Sequence, residues 1–130
     1  MTNFTSPSPK HYSSSIRKES VVLPGVAYTI RRMSFQGRLE LLRELRDLMT
    51  KAEFAAAGSS ATDRVEAALL EGAIRKRQLE WGLVAIEGLE IDGEPATTAR
   101  LLAMGPEELT TEIQASIQGQ MGLSEEERKN

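Results

Sequence analysis

The sequence predicts a mainly α fold: a short N-terminal β-hairpin, then an antiparallel pair of long helices, then two or three shorter C-terminal helices. Three observations support this prediction. β-Branched residues flank a Pro-Gly pair near residue 25, and apolar residues then recur every three to four positions along two long stretches. Helix-capping residues and turn residues punctuate the last third of the chain.

The chain begins with a segment of low hydrophobicity. Residues 1–19 are dominated by Ser, Thr, Pro and Lys, so few side chains can offset the entropy cost of ordering. We expect a flexible N-terminal arm over 1–19, either dispensable or ordered on a partner, and a single mainly helical domain over 20–130. A length of 130 residues suits one such domain.

The hairpin is predicted between Val21 and Met33. Pro24 pre-sets its own φ, and Gly25 can take the positive φ that a type II turn requires. Apolar and β-branched residues on both sides of this turn indicate two short antiparallel strands.

The first long helix is predicted over 35–57, with Ser34 as its N-cap and Gly58 just past its end. Its predicted apolar stripe consists of Leu39, Leu42, Leu45, Leu48 or Met49, and Ala52.

The second long helix is predicted over 63–87, capped by Ser60 or Thr62, with Asp63 in its first turn. The short link at 58–62 favours antiparallel packing on the first helix. The predicted stripe of the second helix consists of Val65, Leu69, Gly72 or Ala73, Lys76, Leu79, Leu83 and Ile86.

Four local sequence signals follow residue 87. Asp92-Gly93 predicts a tight turn or hairpin, and Thr97 or Thr98 caps a short helix that ends before Gly105. The next helix begins at Pro106 and has Leu109, Ile113 and Ile117 on one side, and a last turn is predicted from Ser124.

The residue types restrict the chemistry. There is no cysteine, and His11 is the only histidine, so one chain cannot assemble a histidine dyad or a zinc site of the usual composition. The glycine-rich phosphate-binding patterns are also missing from the sequence. We therefore expect a non-enzymatic protein without catalytic, cofactor-binding or metal-binding residues.

No stretch approaches the roughly 20 apolar residues that a membrane span needs, so we expect no membrane association. Together with the missing cysteines, this favours a cytoplasmic location.

Charge is distributed unevenly. Residues 1–77 carry 13 basic and 8 acidic side chains (+5), whereas residues 78–130 carry 3 and 11 (−8), which sums to −3. Such polarity could steer a partner or arrange a homo-oligomer. The basic residues are interleaved with Glu and Asp, and aromatic residues are scarce, which argues against a nucleic-acid surface.

Large apolar residues near the end of the second helix are the candidates for a packed centre: Trp81, Leu83, Ile86, Leu89 and Ile91. Trp81 is interpreted first as a core anchor and second as an interface hot spot. The strands near residue 25 could also offer an edge for strand addition. The predicted partner-binding residues are Tyr28, Ile30, Trp81 and Ile91.

Part of the sequence resembles a known group of proteins. The stretch Trp81–Thr97 reads WGLVAIEGLEIDGEPAT, and it is followed by Gly105–Leu109, GPEEL, and by Leu123–Asn130, LSEEERKN. These segments resemble small proteins of phage and prophage tail gene clusters, of the tail assembly chaperone class, over about residues 21–130.

The resemblance implies a helical cytoplasmic protein that binds the tape measure protein, the tail tube protein or both until the tail polymerises. It brings no catalytic residues. A second hypothesis is a structural virion component such as a connector or tail-completion subunit. A third is a DNA-binding regulator that uses Arg31, Arg32, Arg38, Arg43 and Arg46.

Overall fold

The computed structural model describes residues 8–122. Within that range the elements are β1 Ser15–Glu19, β2 Ala27–Arg31, α1 Phe35–Ala56, α2 Ala61–Gly82, β3 Leu83–Glu87, β4 Glu90–Ile91, β5 Glu94–Pro95, α3 Thr98–Met104 and α4 Glu107–Gln120. Helices make up 57% of the described residues. The N-terminal hairpin and the two long helices are confirmed, but "mainly α" holds only in part, because β1, β2 and β3 form a three-stranded antiparallel sheet.

The hairpin begins earlier than predicted. β1 pairs with β2 in a register that sets Ser15 opposite Arg31 and Glu19 opposite Ala27. The prediction of a flexible arm is therefore wrong for residues 15–19, whereas residues 1–7 lie outside the described part of the chain. Ile16 explains the difference, since it packs against the core even though its neighbours are polar.

The predicted turn is confirmed, although it lies within a longer loop. The Val26 amide donates to the Leu23 carbonyl at 3.1 Å, and Gly25 has φ +94°, as a type II turn requires. Residues 21–23, before the turn, form bends and not a strand, and Val21 is 83% exposed. This loop is held by the Glu112 carboxylate of α4, which accepts hydrogen bonds from the Ser20 hydroxyl and the Val21 amide.

The two long helices begin where their caps were predicted. The Ser34 hydroxyl accepts from the Gly37 amide, and Ser60 forms a capping box with Asp63. α1 and α2 pack antiparallel: an ion pair joins Glu44 of α1 to Arg77, which is near the end of α2. The pairing thus follows from the short link, as expected.

The second helix is shorter than predicted. α2 ends at Gly82, and the chain continues directly into β3. β3 pairs with β2, the central strand of the sheet. The prediction of a helix to residue 87 is wrong because Leu83–Glu87 contains the β-branched Val84 and Ile86, and the free edge of β2 satisfies its backbone groups.

The C-terminal elements match the predicted signals. Asp92 and Gly93 have φ +52° and +81°, the type I′ pattern, and join β4 to β5. Thr97 caps α3, and α4 begins directly after Pro106. The last turn predicted from Ser124 lies outside the described residues.

The core forms around α4. Leu109, Ile113 and Ile117 are all 0% exposed, which confirms the predicted inward side of this helix. They join residues of α2, α3 and the sheet in the main cluster of Val26, Tyr28, Ile30, Leu79, Leu83, Ile91, Ala96, Leu101, Leu109, Ile113 and Ile117. A second, smaller cluster consists of Leu41, Leu45 and Trp81 and connects α1 to the C-terminal end of α2.

Candidate protein-binding surfaces

The residues predicted to bind a partner lie in the core. Ile30 is 0% exposed, Tyr28 2%, Trp81 6% and Ile91 7%. Their side chains cannot reach a partner in this fold, so the partner-binding assignment of these four residues is corrected. Trp81 packs on Leu41 and Leu45, as its core interpretation predicts.

The predicted packed centre is divided between two clusters. Leu83 and Ile91 belong to the main cluster, with Ile86 and Leu89 partly buried against it, whereas Trp81 belongs to the second cluster. The end of α2 therefore connects the two clusters, with Trp81 on one side and Leu83 on the other.

The sheet edges also differ from the hypothesis of strand addition near Tyr28. Tyr28 lies on β2, which is the central strand. The Tyr28 hydroxyl lies 3.0 Å from the Ser116 hydroxyl. The edges are β1 and β3, and a 2.9 Å ion pair between Arg17 and Glu87 connects them across β2. The hydrogen bond to Glu87, and then its charge, raise the pKa of the Arg17 guanidinium. Both side chains are about half exposed, so the pair adds little stability.

Helix α1 has two apolar stripes rather than one. The inner stripe, against α2, consists of Gly37, Leu41, Leu45, Ala52 and Ala55. Of the predicted stripe, Leu45 and Ala52 are buried, but Leu39, Leu42 and Met49 are each close to half exposed. These three side chains form an outer stripe, so the predicted single stripe combines residues of two different faces.

Helix α2 shows a related departure. Leu79 and Leu83 of its predicted stripe are buried, but Val65 and Leu69 are 60% and 65% exposed. The cause is the position of α4, which packs against the C-terminal part of α2 at Gln78 and Gly82. Among the described residues, no element packs in the same way on Val65 and Leu69 in the N-terminal part of α2.

The outer stripe of α1 opens onto a groove, which we call the α1–α2 groove. Its volume is about 800 Å³. The groove is lined by Leu39, Leu42, Arg43, Arg46, Met49, Thr50, Ala52, Glu53, Ala56, Glu71 and Ile74. The α1–α2 groove therefore combines apolar side chains with charged side chains of both signs.

A second surface lies near the connection between the two helices, and we call it the tip cleft. Its volume is about 470 Å³, and it is lined by Thr50, Lys51, Phe54, Ala55, Asp63, Glu66 and Leu70. Phe54 is 85% exposed, an unusual state for a phenylalanine. The tip cleft therefore combines an exposed aromatic ring with a basic and two acidic side chains.

A third cavity, of about 420 Å³, lies between α2, α3 and α4. Its wall includes Gln114, whose amide donates to Gln78 Oε1 at 2.6 Å. Because this bond is buried, it fixes the contact between α2 and α4.

Within residues 8–122, no three His, Asp or Glu side chains are grouped so as to hold a metal ion. None of the four described helices is both long and apolar enough to span a membrane.

Two exposed aromatic residues were not singled out from the sequence. Phe35 and Phe54 lie at the two ends of α1 and are 84% and 85% exposed. A signal for the outer stripe was present, since Leu42, Met49 and Ala56 are spaced by seven residues, as are Leu39, Arg46 and Glu53. No comparable signal distinguishes the two phenylalanines from core residues.

Comparison with protein-family models, with curated proteins and with solved structures finds no significant match to this chain. The resemblance to tail assembly chaperones therefore stays a prediction.

Proposed function

We propose that this protein is a non-enzymatic phage tail assembly chaperone that binds the tape measure protein, the tail tube protein or both in the host cytoplasm. The sequence resemblance supplies the class of client, and one observation of the structure supports protein binding. Seven of the twelve exposed large apolar side chains of the described chain lie on α1 and α2. A concentration of this kind on one helical hairpin is typical of a protein-binding surface.

The tip cleft is the proposed client site. Phe54 offers a large exposed apolar side chain, and aromatic residues are enriched at protein interfaces. Lys51 and Glu66 flank it with opposite charges. An amphipathic helix, with an apolar face and mixed charges at its margins, has the chemistry to fill such a cleft. Long tape measure segments of coiled-coil character would supply helices of this kind.

The DNA-binding alternative loses support from the contacts of its arginines. Arg31 lies over the Trp81 ring at 5.1 Å, and Arg32 lies over the Tyr12 ring at 5.2 Å. Arg38 donates to the Met121 carbonyl at 2.8 Å. Three of the five candidate residues are therefore engaged within the chain, which leaves no continuous basic surface built from all five.

The test is co-expression with the candidate tape measure protein, followed by pull-down and by mass spectrometry of finished particles. Phe54→Ser should weaken capture at least about tenfold, since burying a Phe side chain is worth about 1.5–3 kcal/mol. Phe35→Ser is the matched control, because Phe35 is on the same helix and equally exposed but lies outside the tip cleft.

Each result has a defined meaning. Capture that Phe54→Ser reduces and Phe35→Ser does not, with no protein in the particle, supports the chaperone and its site. Protein in the finished particle would instead favour the structural virion component. No capture of tape measure or tube protein by the unchanged chain would overturn the proposal.

A further inference from the structure

We infer that the α1–α2 groove is occupied by a second copy of this chain, whose α1 lies antiparallel to the first. This inference goes beyond the client site, because the groove and the tip cleft are different surfaces. It needs no client and can be tested on the purified protein alone.

The outer stripe of α1 has the spacing of a coiled-coil seam. Leu39, Arg46 and Glu53 recur every seven residues, and a second set recurs at the same interval three positions later. This alternation of three and four residues keeps one side of a helix against a partner helix. The second set consists of Leu42, Met49 and Ala56, and all six residues line the groove.

The inner face of α1 is already used. Its contacts with other elements are overwhelmingly to α2. The buried residues of α1 are Gly37, Leu41, Leu45, Ala52 and Ala55. The seam on the outer side is therefore surplus to the fold of one chain. Helix α1 has 22 residues and is about 33 Å long, so a part of it can pack along a second helix.

The charges in the seam identify the partner and its direction. Arg46 and Glu53 lie on either side of Met49, and each is about 5 Å from the midpoint between them along the helix axis. A twofold axis through that midpoint would place Arg46 of each copy beside Glu53 of the other. Residues 43–56 of the two helices would overlap over about 21 Å, and Leu39 and Leu42 would face the partner's connection between α1 and α2. Parallel packing would place Arg46 on Arg46 and Glu53 on Glu53, and like charges would repel. The seam is therefore complementary to itself only in the antiparallel arrangement.

Both charges are available for this pairing. The only ion pair that Arg46 makes within the described chain is to its neighbour Asp47, at 3.8 Å. Both groups are more than three-quarters exposed, so this contact costs little to release. Glu53 has no ion-pair partner among residues 8–122.

The experiment measures mass by sedimentation equilibrium as a function of protein concentration. The mass of the unchanged chain is expected to rise from that of a monomer to that of a dimer as the concentration rises. Arg46→Glu alone, or Glu53→Arg alone, turns two attractive pairs into two repulsive ones and should raise the dimer dissociation constant at least about tenfold. The double variant R46E/E53R should restore the dimer, because the exchanged charges are complementary again.

Mixing gives a stricter result. Arg46→Glu and Glu53→Arg chains, each weakly associating alone, should form a mixed dimer with an affinity close to that of the unchanged chain. Lys51→Glu is the control, since it is a charge reversal on the same helix but faces the tip cleft. It should leave the dimer unchanged.

A monomeric unchanged chain at high micromolar concentration would overturn the inference, as would a dimer that neither single charge reversal weakens. Failure of the double variant to recover would also overturn it, provided that circular dichroism shows the variant to be folded. None of these results depends on a client, so the proposed function would still be open to its own test.

Discussion

The contact between the end of α2 and α4 makes a quantitative prediction about Gly82→Ala. A Cβ at this position would lie 2.9 Å from Cδ1 and Cγ1 of Ile117 and 3.0 Å from its Cγ2. Ordinary contact begins near 3.4 Å, so Ile117 would have to retreat by about 0.5 Å. Ile117 is 0% exposed and belongs to the main cluster, so its movement would displace close-packed neighbours.

The expected cost follows from two opposing effects. Overpacking of this kind destabilises by about 1–3 kcal/mol. Replacing a helical glycine by alanine returns up to about 1 kcal/mol. Gly82→Ala should therefore lower the free energy of unfolding by about 1–2 kcal/mol.

A double-mutant cycle separates overpacking from other causes. Ile117→Ala alone should cost about 2–5 kcal/mol through the cavity that it leaves. In the double variant the new methyl group at position 82 enters that cavity, so its cost should fall short of the sum of the single costs by at least about 1 kcal/mol.

The assay is urea unfolding followed by tryptophan fluorescence. Trp81 is the only tryptophan and is 6% exposed, so its emission reports the packing next to Gly82. All variants are compared at one protein concentration, because dimerisation would add to the measured stability. Costs that simply add, together with a neutral or stabilising Gly82→Ala, would refute this packing of α2 against α4.

Two further predictions concern the loops around the sheet. Gly88→Ala should destabilise by about 1–3 kcal/mol or more in thermal melts, because Gly88 has φ +79° and an added Cβ would meet the Gly25 carbonyl oxygen; an unchanged melting temperature would contradict that close approach. Glu112→Gln should cost about 1–3 kcal/mol, because one amide oxygen cannot replace two carboxylate oxygens that accept from the Ser20 hydroxyl and the Val21 amide. The Val21 amide hydrogen should exchange faster in Glu112→Gln than in the unchanged chain. Equal exchange rates in the two proteins would contradict this prediction.

The features that the sequence predicted correctly are those decided by neighbouring residues. Ser34 and Ser60 cap their helices through their own hydroxyls, and Asp92-Gly93 takes positive φ because of its residue types. The type II turn after Leu23 is of the same kind. In each case the interacting groups are within a few residues of one another, so the pattern could be read without knowledge of the fold.

The errors concern elements whose state depends on distant partners. Leu83–Glu87 continues the helical pattern of α2, but it forms a strand because β2 has a free edge beside it. Residues 15–19 have a polar composition, yet they form the opposite edge of the same sheet. Pairing of this kind joins residues far apart in sequence, and local composition does not encode it.

The candidate site was misplaced for a related reason. Tyr28, Ile30, Trp81 and Ile91 are large and apolar, which is equally typical of a core and of an interface. Only the positions of α4 and the sheet decide between the two, and they bury all four residues.

The two proposed surfaces share one helix, and this has a consequence for how they could work together. Thr50 lines both the α1–α2 groove and the tip cleft, so the surfaces adjoin along the outer side of α1. A second copy in the groove would hold α1 from a side that α2 leaves open. Phe54 would then lie on a helix packed on two sides instead of one, and fixing a helix before binding lowers the entropy cost of binding a client. Dimerisation through Arg46 and Glu53 should therefore strengthen client capture at Phe54 without touching the client, and charge reversals in the groove provide the means to separate the two effects.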